Sequence, residues 1–544
     1  MSDAGAEGSP SLVRASALMS LGTVLSRITG LLRIIAITAA LGIAEERLAD
    51  TYNLANTVPN LIYELILGGI LWSVFVPVIV EVLQKNDADA AGEAISAVIN
   101  VSMVLLVGVT VIGVLAAPWI GGFYSTRLAA DQAQQQREAI TLLLRLFIPQ
   151  VIFYGLAATT AGLLNAHKRF AVPTFTPILN NITVIGIFII FYQTFGRVGL
   201  DASRGQLLLI GLGTSAGVIV MAAAQLPFVR GLIRYKLTLQ WRHPAVRKVA
   251  RLAIFVAGFV AVSNAGFVFV QWLSNEQQGG YSAYVTAYTF FLLPVSLFSV
   301  PITTALLPDM SRYAINEQWP EFRERLSLGM RTTLFLTVPA AAAYLILARP
   351  GLEFALSRGV ITSSSVDLVS DVLKLFVLGL PQTAIFGLFV RAFYAMQDAK
   401  LPFAIVTATV AFNAVINVPL YAWLGVAGLA LGQAIAYTAA IAGGGAALAR
   451  RIGGVEARAV ATATLRIVVA TAPMSAMILL VWSQLGDSAE GLRGLLTLSA
   501  ASGAGVVTYL IVGHLIGVKE VFYVRKLLYF GRGQSTPDMP PTLP

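Results

Sequence analysis

Two arginines, Arg27 and Arg33, sit well inside LMSLGTVLSRITGLLRIIAITAALG, a stretch from Leu18 to Gly42 that is otherwise apolar enough to cross a bilayer. A guanidinium at that depth is costly. It normally faces a bundle interior or a wet cavity, where it marks a substrate path. Its planar fork grips phosphate or carboxylate oxygens in pairs, so the chemistry on offer is anion binding. The structural alternative is that each arginine bonds a helix carbonyl or an acid and locks the bundle. On one helix the two stand about 9 Å apart along the axis and about 120° apart around it. Both can look into a wide cavity, but they form no single stripe. Asp50, close after this stretch, is a candidate to balance an arginine or to gate that end; a solvated acid at a helix start is the alternative.

The elements that must hold these residues are membrane spans. The chain is 57% hydrophobic and 12% charged over 544 residues, too little charge to cover a soluble surface of that size. Apolar runs long enough to span recur throughout, and fourteen helices are expected, centred near residues 28, 68, 105, 150, 185, 218, 262, 297, 335, 382, 412, 438, 472 and 504. Pro59, Pro149, Pro294 and Pro381 interrupt spans, which is tolerated where neighbours take up the freed carbonyls. The start, MSDAGAEGSPS, lacks a basic signal-peptide region. With no cysteine, thiol chemistry is excluded, and no nucleotide-binding or esterase motif is encoded. His167, His243 and His514 are scattered and read as structural. The acidic DAD at Asp87 to Asp89 reads as a solvated loop.

Basic residues orient the chain. The segment Arg230 to Arg251 holds seven Lys and Arg and no acid, so the side joining spans six and seven is expected to be cytoplasmic. Lys168 and Arg169, Arg450 and Arg451, and Lys519, Arg525 and Lys526 agree, placing both termini inside. The net charge of +10 is then mostly a topological bias, needing no nucleic acid but favouring anionic lipid.

An internal repeat is also legible. FVP (Phe75 to Pro77) and LLP (Leu306 to Pro308) close spans two and eight; Pro149-Gln150 matches Pro381-Gln382; Ala166 with Pro173 matches Ala395 with Pro402. The offsets stay between 229 and 232 residues. Six spans per repeat is an even number, so the lobes share an orientation about an axis along the membrane normal, with a site expected between them. The repeat also aligns Arg145 with Lys374, each followed by Leu-Phe. This pair could hold an anion on the axis, or snorkel to headgroups. Asn413 and Asn417, one turn apart, could share a weak cation site with Asn264; helix–helix hydrogen bonding is the favoured alternative.

Against this background, S-R-x-x-G-x-x-R (Ser26, Arg27, Gly30, Arg33), Asp50, P-N-L (Pro59 to Leu61) and F-V-P resemble the MurJ (MviN) family of the multidrug/oligosaccharidyl-lipid/polysaccharide exporter superfamily. The resemblance runs over nearly the whole chain. It implies a lipid II flippase that carries undecaprenyl-diphosphate-linked peptidoglycan precursor from the inner to the outer leaflet. It implies functional roles for Arg27, Arg33 and Asp50, with Ser26 and Asn60 beside them as substrate contacts, and a groove for the lipid tail at the last two spans. The chain departs from the family pattern at Tyr63 and Glu64, Thr289 and Leu292.

The expected protein is thus an all-α polytopic membrane protein of about fourteen transmembrane helices, with two six-helix lobes and two extra C-terminal helices. The expected divisions are a cytoplasmic tail at 1–13, lobes at 14–233 and 247–452, a basic linker at 234–246, the extra helices at 453–518, and a cytoplasmic tail at 519–544. It works in the bacterial cytoplasmic membrane by alternating access and performs no covalent chemistry. No cofactor or metal is expected, while coupling to membrane potential or a monovalent cation stays open. Its partners are the glycolipid, membrane lipids and other cell-wall synthesis proteins, with no nucleic acid. The alternatives are a flippase for another polyprenyl-diphosphate glycan or a cation-coupled multidrug antiporter. Asp50 and Asn275, near the outer ends of spans two and seven, are expected to approach when those ends close.

Overall fold

A computed structural model describes residues 10–63, 79, 81–82, 88–485 and 491–521, and among them every regular element is a helix. The first seven are α1 (Pro10–Leu41), α2 (Leu48–Tyr63), α3 (Ala88–Ser125), α4 (Ala130–Phe147), α5 (Gln150–Ala166), α6 (Ala171–Phe195) and α7 (Arg204–Ala223). Then come α8 (Pro244–Ser274), α9 (Gly280–Pro294), a π-helical turn at Val295–Ser299, α10 (Val300–Ile315) and α11 (Trp319–Leu356). The chain continues through α12 (Ser363–Val377), α13 (Leu380–Ala395), α14 (Lys400–Leu424), α15 (Val426–Ile452), α16 (Ala457–Leu485) and α17 (Gly491–Leu515).

Eleven described helices are long and apolar enough to cross a membrane, or twelve if the bent pair α12 and α13 is one span. The two remaining expected spans fall at α2 and α8. The centre of span two and the F-V-P motif lie outside the described residues, and α8 shows only a shorter apolar helix, Val260–Ser274. α10 runs through Pro308 to Ile315, so the helix continues past the L-L-P motif.

The repeat has a structural counterpart in where helices break. Pro149 caps α5 after the break from α4, and Pro381 occupies the first turn of α13 after the break from α12. Proline cannot donate to the preceding turn, so a carbonyl is freed there. In the first lobe Ser215 of α7 donates to Leu146 O beside this break at 2.8 Å, and Gln150 Nε2 donates to Ser215 at 2.9 Å. The exits match too: Lys168 (φ 59°) and Gln397 (φ 58°) both take the left-handed conformation that ends a helix.

Contacts divide the chain into two compact units. One comprises Met1–Thr289, Ala355–Val372 and Val410–Gly432; the other Phe290–Phe354, Leu373–Thr409 and Gln433–Pro544. In the first, Tyr52, Phe147, Phe188 and Phe191 build a buried core, with Tyr52 edge-on to Phe147 and Phe188 at 5.6 and 5.2 Å. Small residues let helices close. On α7, Gly217 lies so near Asn180 of α6 that a Cβ would stand 2.4 Å from its Oδ1. α7 starts on a capping box, with Ser203 and Gln206 bonding reciprocally.

The basic linker is fastened to α3. Asn100 Nδ2 donates to the carbonyls of Lys236 and Thr238, both at 2.9 Å, and the Lys236 amide donates to Ser96 at 3.0 Å. Asp89 of the acidic loop pairs with Arg234 at 2.7 Å, so it is a docking partner as well as a surface charge. His243 caps α8 by accepting from the Ala245 amide.

In the second unit α16 and α17 pack against each other at Gly505 and reach α11 through Tyr509, whose hydroxyl donates to Phe335 O at 2.8 Å. Glu520, just past α17, is 2% exposed and stands 3.6 Å from Arg331 of α11. Removing only the cation strands a buried carboxylate, at a cost of about 3 kcal/mol, whereas neutralising the acid removes that cost. Arg331→Ala is expected to lower the melting temperature clearly and Glu520→Gln to change it little; equal losses from both would contradict this.

Candidate functional site

The densest polar structure in the first unit surrounds the loop 42–47 between α1 and α2. Glu45 is buried there and accepts from the Ile43 amide at 2.6 Å, the Thr362 amide at 2.6 Å and the Thr362 hydroxyl at 2.7 Å. Ala44 N donates to Ser365 at 3.0 Å and Val360 N to Ala39 O at 3.0 Å. Gly359 takes φ +69°, and a Cβ on it would stand 2.0 Å from Ala39 O; only glycine lets the two backbones meet.

One turn on, Arg47 and Asp50 hold the turn between α8 and α9 from both sides. Arg47 donates to the carbonyls of Asn275 at 2.9 Å and Glu276 at 3.0 Å, which lie at the C-terminal end of α8. Asp50, fully buried, accepts from the amides of Gly279 at 2.7 Å and Ser282 at 2.8 Å and from the Ser282 hydroxyl at 2.8 Å. Gly279 caps α9 but has no side chain to satisfy its first-turn amides. Asp50 supplies that cap from another helix. Asn53 adds a bond to Ser282 at 3.0 Å, and Thr57 one to the Tyr281 hydroxyl at 2.8 Å.

These partners are separated by 228, 229, 229, 232 and 229 residues for Arg47–Asn275, Arg47–Glu276, Asp50–Gly279, Asp50–Ser282 and Asn53–Ser282. That is the offset of the internal repeat. Residues that touch their own repeat mates are what a contact straddling a two-fold axis produces. Tyr52 with Tyr281 and Thr57 with Thr286 are the matching identities in α2 and α9.

Asn275, expected from sequence to approach Asp50 when the outer ends close, joins the same assembly through the Arg47 bond to its carbonyl. Its amide is paired reciprocally with Gln136 of α4 at 3.1 and 2.9 Å and donates to Tyr124 O at 2.8 Å. Glu276 pairs with Arg127, which also stacks over Trp272 at 4.7 Å. Sequence reading missed Glu45, Arg47, Gln136 and Thr362 as working residues. Arg47 carries no local signal, because its partners are Gln132, 85 residues away, and the backbone carbonyls of Asn275 and Glu276, more than two hundred away.

The remaining candidates fall in different places. Arg33 is half-buried, its Nε is buried without a hydrogen-bond partner among the described residues, and its charge reaches the phenols of Tyr52 and Tyr154. Tyr63 lies ring to ring with Tyr154 at 4.8 Å. Arg27 is exposed on α1. Ser26 offers its carbonyl to Asn181 of α6 at 3.4 Å, and Asn60 donates to Asn56 O at 3.0 Å. Arg145 does not point toward α2: it is exposed on the face of α4 opposite Leu143, Leu144 and Phe147, which form the core with Tyr52. Lys374 is half-buried in the last turn of α12 and has interactions of its own. Asn264 donates to Leu61 O at 3.1 Å, and Asn413 and Asn417 bond each other at 3.0 and 3.4 Å. Those amides are engaged in helix–helix and intrahelical bonds. No cluster of three His, Cys, Asp or Glu suited to a metal occurs among the described residues.

Burial pushes the Glu45 carboxyl up, but the bonds from Ile43, Thr362 and Ser365 outweigh it and hold the group below its ordinary value of 4.5. A depressed carboxylate stabilises the fold at pH above its unfolded pKa and loses that effect as pH falls through the folded one. Glu45→Gln is expected to lower the melting temperature by about 2–6 °C at pH 7. The gap between wild type and variant should shrink below pH 4.5 and vanish in stronger acid. A gap that instead widens toward acid would contradict the assignment.

Residues 37–487 match the family model described as "Lipid II flippase MurJ". The chain is 28% identical over 429 residues to the probable lipid II flippase MurJ of Vibrio cholerae serotype O1, covering 77% of this chain and 79% of that one. It is 27% identical over 527 residues to the probable lipid II flippase MurJ of Rhizobium tropici, covering 95% and 97%. Among solved structures it shares its fold with a lipid II flippase MurJ in an inward closed conformation, at a TM-score of 0.75 and 22% identity over 94% of this chain and 100% of the other. The match over residues 37–487, most of this polytopic helical chain, makes the chain a member of the lipid II flippase MurJ family.

Proposed function

We infer that this protein flips lipid II across the bacterial cytoplasmic membrane by alternating access. The observation that carries the reading, beside family membership, is Arg33: a guanidinium inside a span with a buried Nε that no group among the described residues satisfies. Such a donor is costly unless a ligand completes it, and a diphosphate offers the matching pairs of oxygens. Arg27, about two turns further along α1, would meet the same headgroup as it moves along the path.

The positive-inside pattern supports placing the Arg47–Asp50 clamp on the outer side. The clamp then closes that side while the headgroup enters from the cytoplasm, and its release opens the outer side. The polyprenyl tail stays in lipid throughout, and no covalent bond changes. A diphosphate diester carries about two negative charges, so net outward movement is favoured by an inside-negative potential worth about 2.3 kcal/mol per charge per 100 mV. This makes the membrane potential the simplest driving force for the cycle, without a dedicated cation site.

Complementation of a strain depleted of its lipid II flippase tests the reading. Wild type should restore growth, and Arg27→Ala and Arg33→Ala should abolish rescue at normal membrane levels. Arg33→Lys should rescue partly, being a point charge rather than a fork. Full rescue by both alanine variants would overturn the anion-binding role. For orientation, the cysteine-free chain allows single probes. Asp201→Cys should be labelled by an impermeant maleimide from outside and Leu237→Cys only after permeabilisation; the reverse would invert the topology.

A further inference from the structure

Beside the clamp, the first unit carries a cleft of about 880 Å³ between α3 and α4, lined by Arg137 and Arg145 of α4 and Arg204 at the start of α7. All three side chains are exposed, and none is in an ion pair or side-chain hydrogen bond among the described residues. Glu138 is the one carboxylate in the lining and accepts from Gln134, so three cations against one anion leave the cleft at +2. On α4 the residues Gln134, Arg137, Glu138, Thr141 and Arg145 recur at helical spacing and form one face, away from the core. Arg145 lies about 12 Å deeper along the axis than Arg137. Gly122 of α3 stands beside Arg137, where a Cβ would lie in ordinary contact, 3.6 Å from Arg137 Nε.

The neighbouring surface says what kind of anion fits. α3 exposes an apolar stripe, Val104, Val111, Ile112, Leu115, Trp119 and Phe123, that leads up to the cleft. Trp119 is 74% exposed and directly follows Pro118 in the lining, as an indole does at the headgroup level of a bilayer. A free anion would use only the guanidinium groups. A phospholipid would use both features, its phosphate among the arginines and its chains along α3.

We propose that this cleft is a binding site for the phosphate headgroup of an anionic phospholipid in the leaflet at the clamp end. The α3–α4 turn beside it carries Tyr124 and Arg127, which contact the α8–α9 turn, so a bound lipid rests against the elements that close the clamp. The proposal does not depend on flippase activity, and its test reads binding rather than transport.

The test uses delipidated full-length protein in detergent, titrated with phosphatidylglycerol, with phosphatidylcholine and with inorganic phosphate, and followed by native mass spectrometry and thermal melting. Wild type should retain one more phosphatidylglycerol per chain than Arg137→Gln/Arg145→Gln/Arg204→Gln, while phosphatidylcholine retention stays equal. The matching triple lysine variant should keep the extra lipid. Equal melting temperatures in phosphatidylcholine establish that the glutamine variant is folded; should it fail to fold, Arg145→Gln alone is expected to weaken phosphatidylglycerol binding at least threefold. Equal retention of phosphatidylglycerol by wild type and the folded variant would overturn the site. So would inorganic phosphate displacing the lipid at equal concentration, which would make the cleft a site for free anions.

Discussion

A carboxylate buried without water needs donors, and a helix start needs acceptors. Asp50 meets both requirements at once. It sits in the first turn of α2, where the helix dipole favours an acid, and it accepts the first amides of α9, where Gly279 offers no cap. Arg47, one turn before it, does the converse for the carbonyls that end α8. The two residues therefore satisfy both sides of the α8–α9 turn from a single helix start. Removing either would leave several backbone groups unpaired in a place that excludes water.

The polar character of this contact suits an element that must close and reopen. An apolar seam of similar extent would close in many registers, whereas amide and carbonyl geometry admits few. Gly279 and Gly359 sharpen this further. Each has positive φ and sits so near the α1–α2 segment that a Cβ would overlap it, at 2.6 Å from Ile43 O and 2.0 Å from Ala39 O respectively. The repeat supplies the framework, because the pairs lie on repeat-related positions. The chemistry supplies the asymmetry: an acid on one side faces a glycine on the other.

Fold class, most of the span positions and the breaks at Pro149 and Pro381 were legible because hydropathy and proline act locally along the chain. Arg33 was legible for the same reason, since a charge in an apolar run stands out by its cost. Asp50 was visible as a candidate, but its partners were not. Backbone amides of Gly279 and Ser282 carry no side-chain signature, and nothing local says that a glycine marks a cap supplied from elsewhere. The repeat alignment that pairs Arg145 with Lys374 reports register along a helix and says nothing of its rotation against neighbours. The buried face of Leu143, Leu144 and Phe147 claims the inner side of α4, which turns Arg145 outward.

In the proposed cycle the α1–α2 segment separates from the elements it binds for transport to proceed. This separation is tested most directly by cysteines at Ala44 and Ser365, whose backbone amide and hydroxyl lie 3.0 Å apart in an otherwise cysteine-free chain. In proteoliposomes loaded with lipid II, oxidation should form the crosslink and stop appearance of the headgroup on the far side, and reduction should restore the wild-type rate. Undiminished transport with the crosslink complete would contradict the claim.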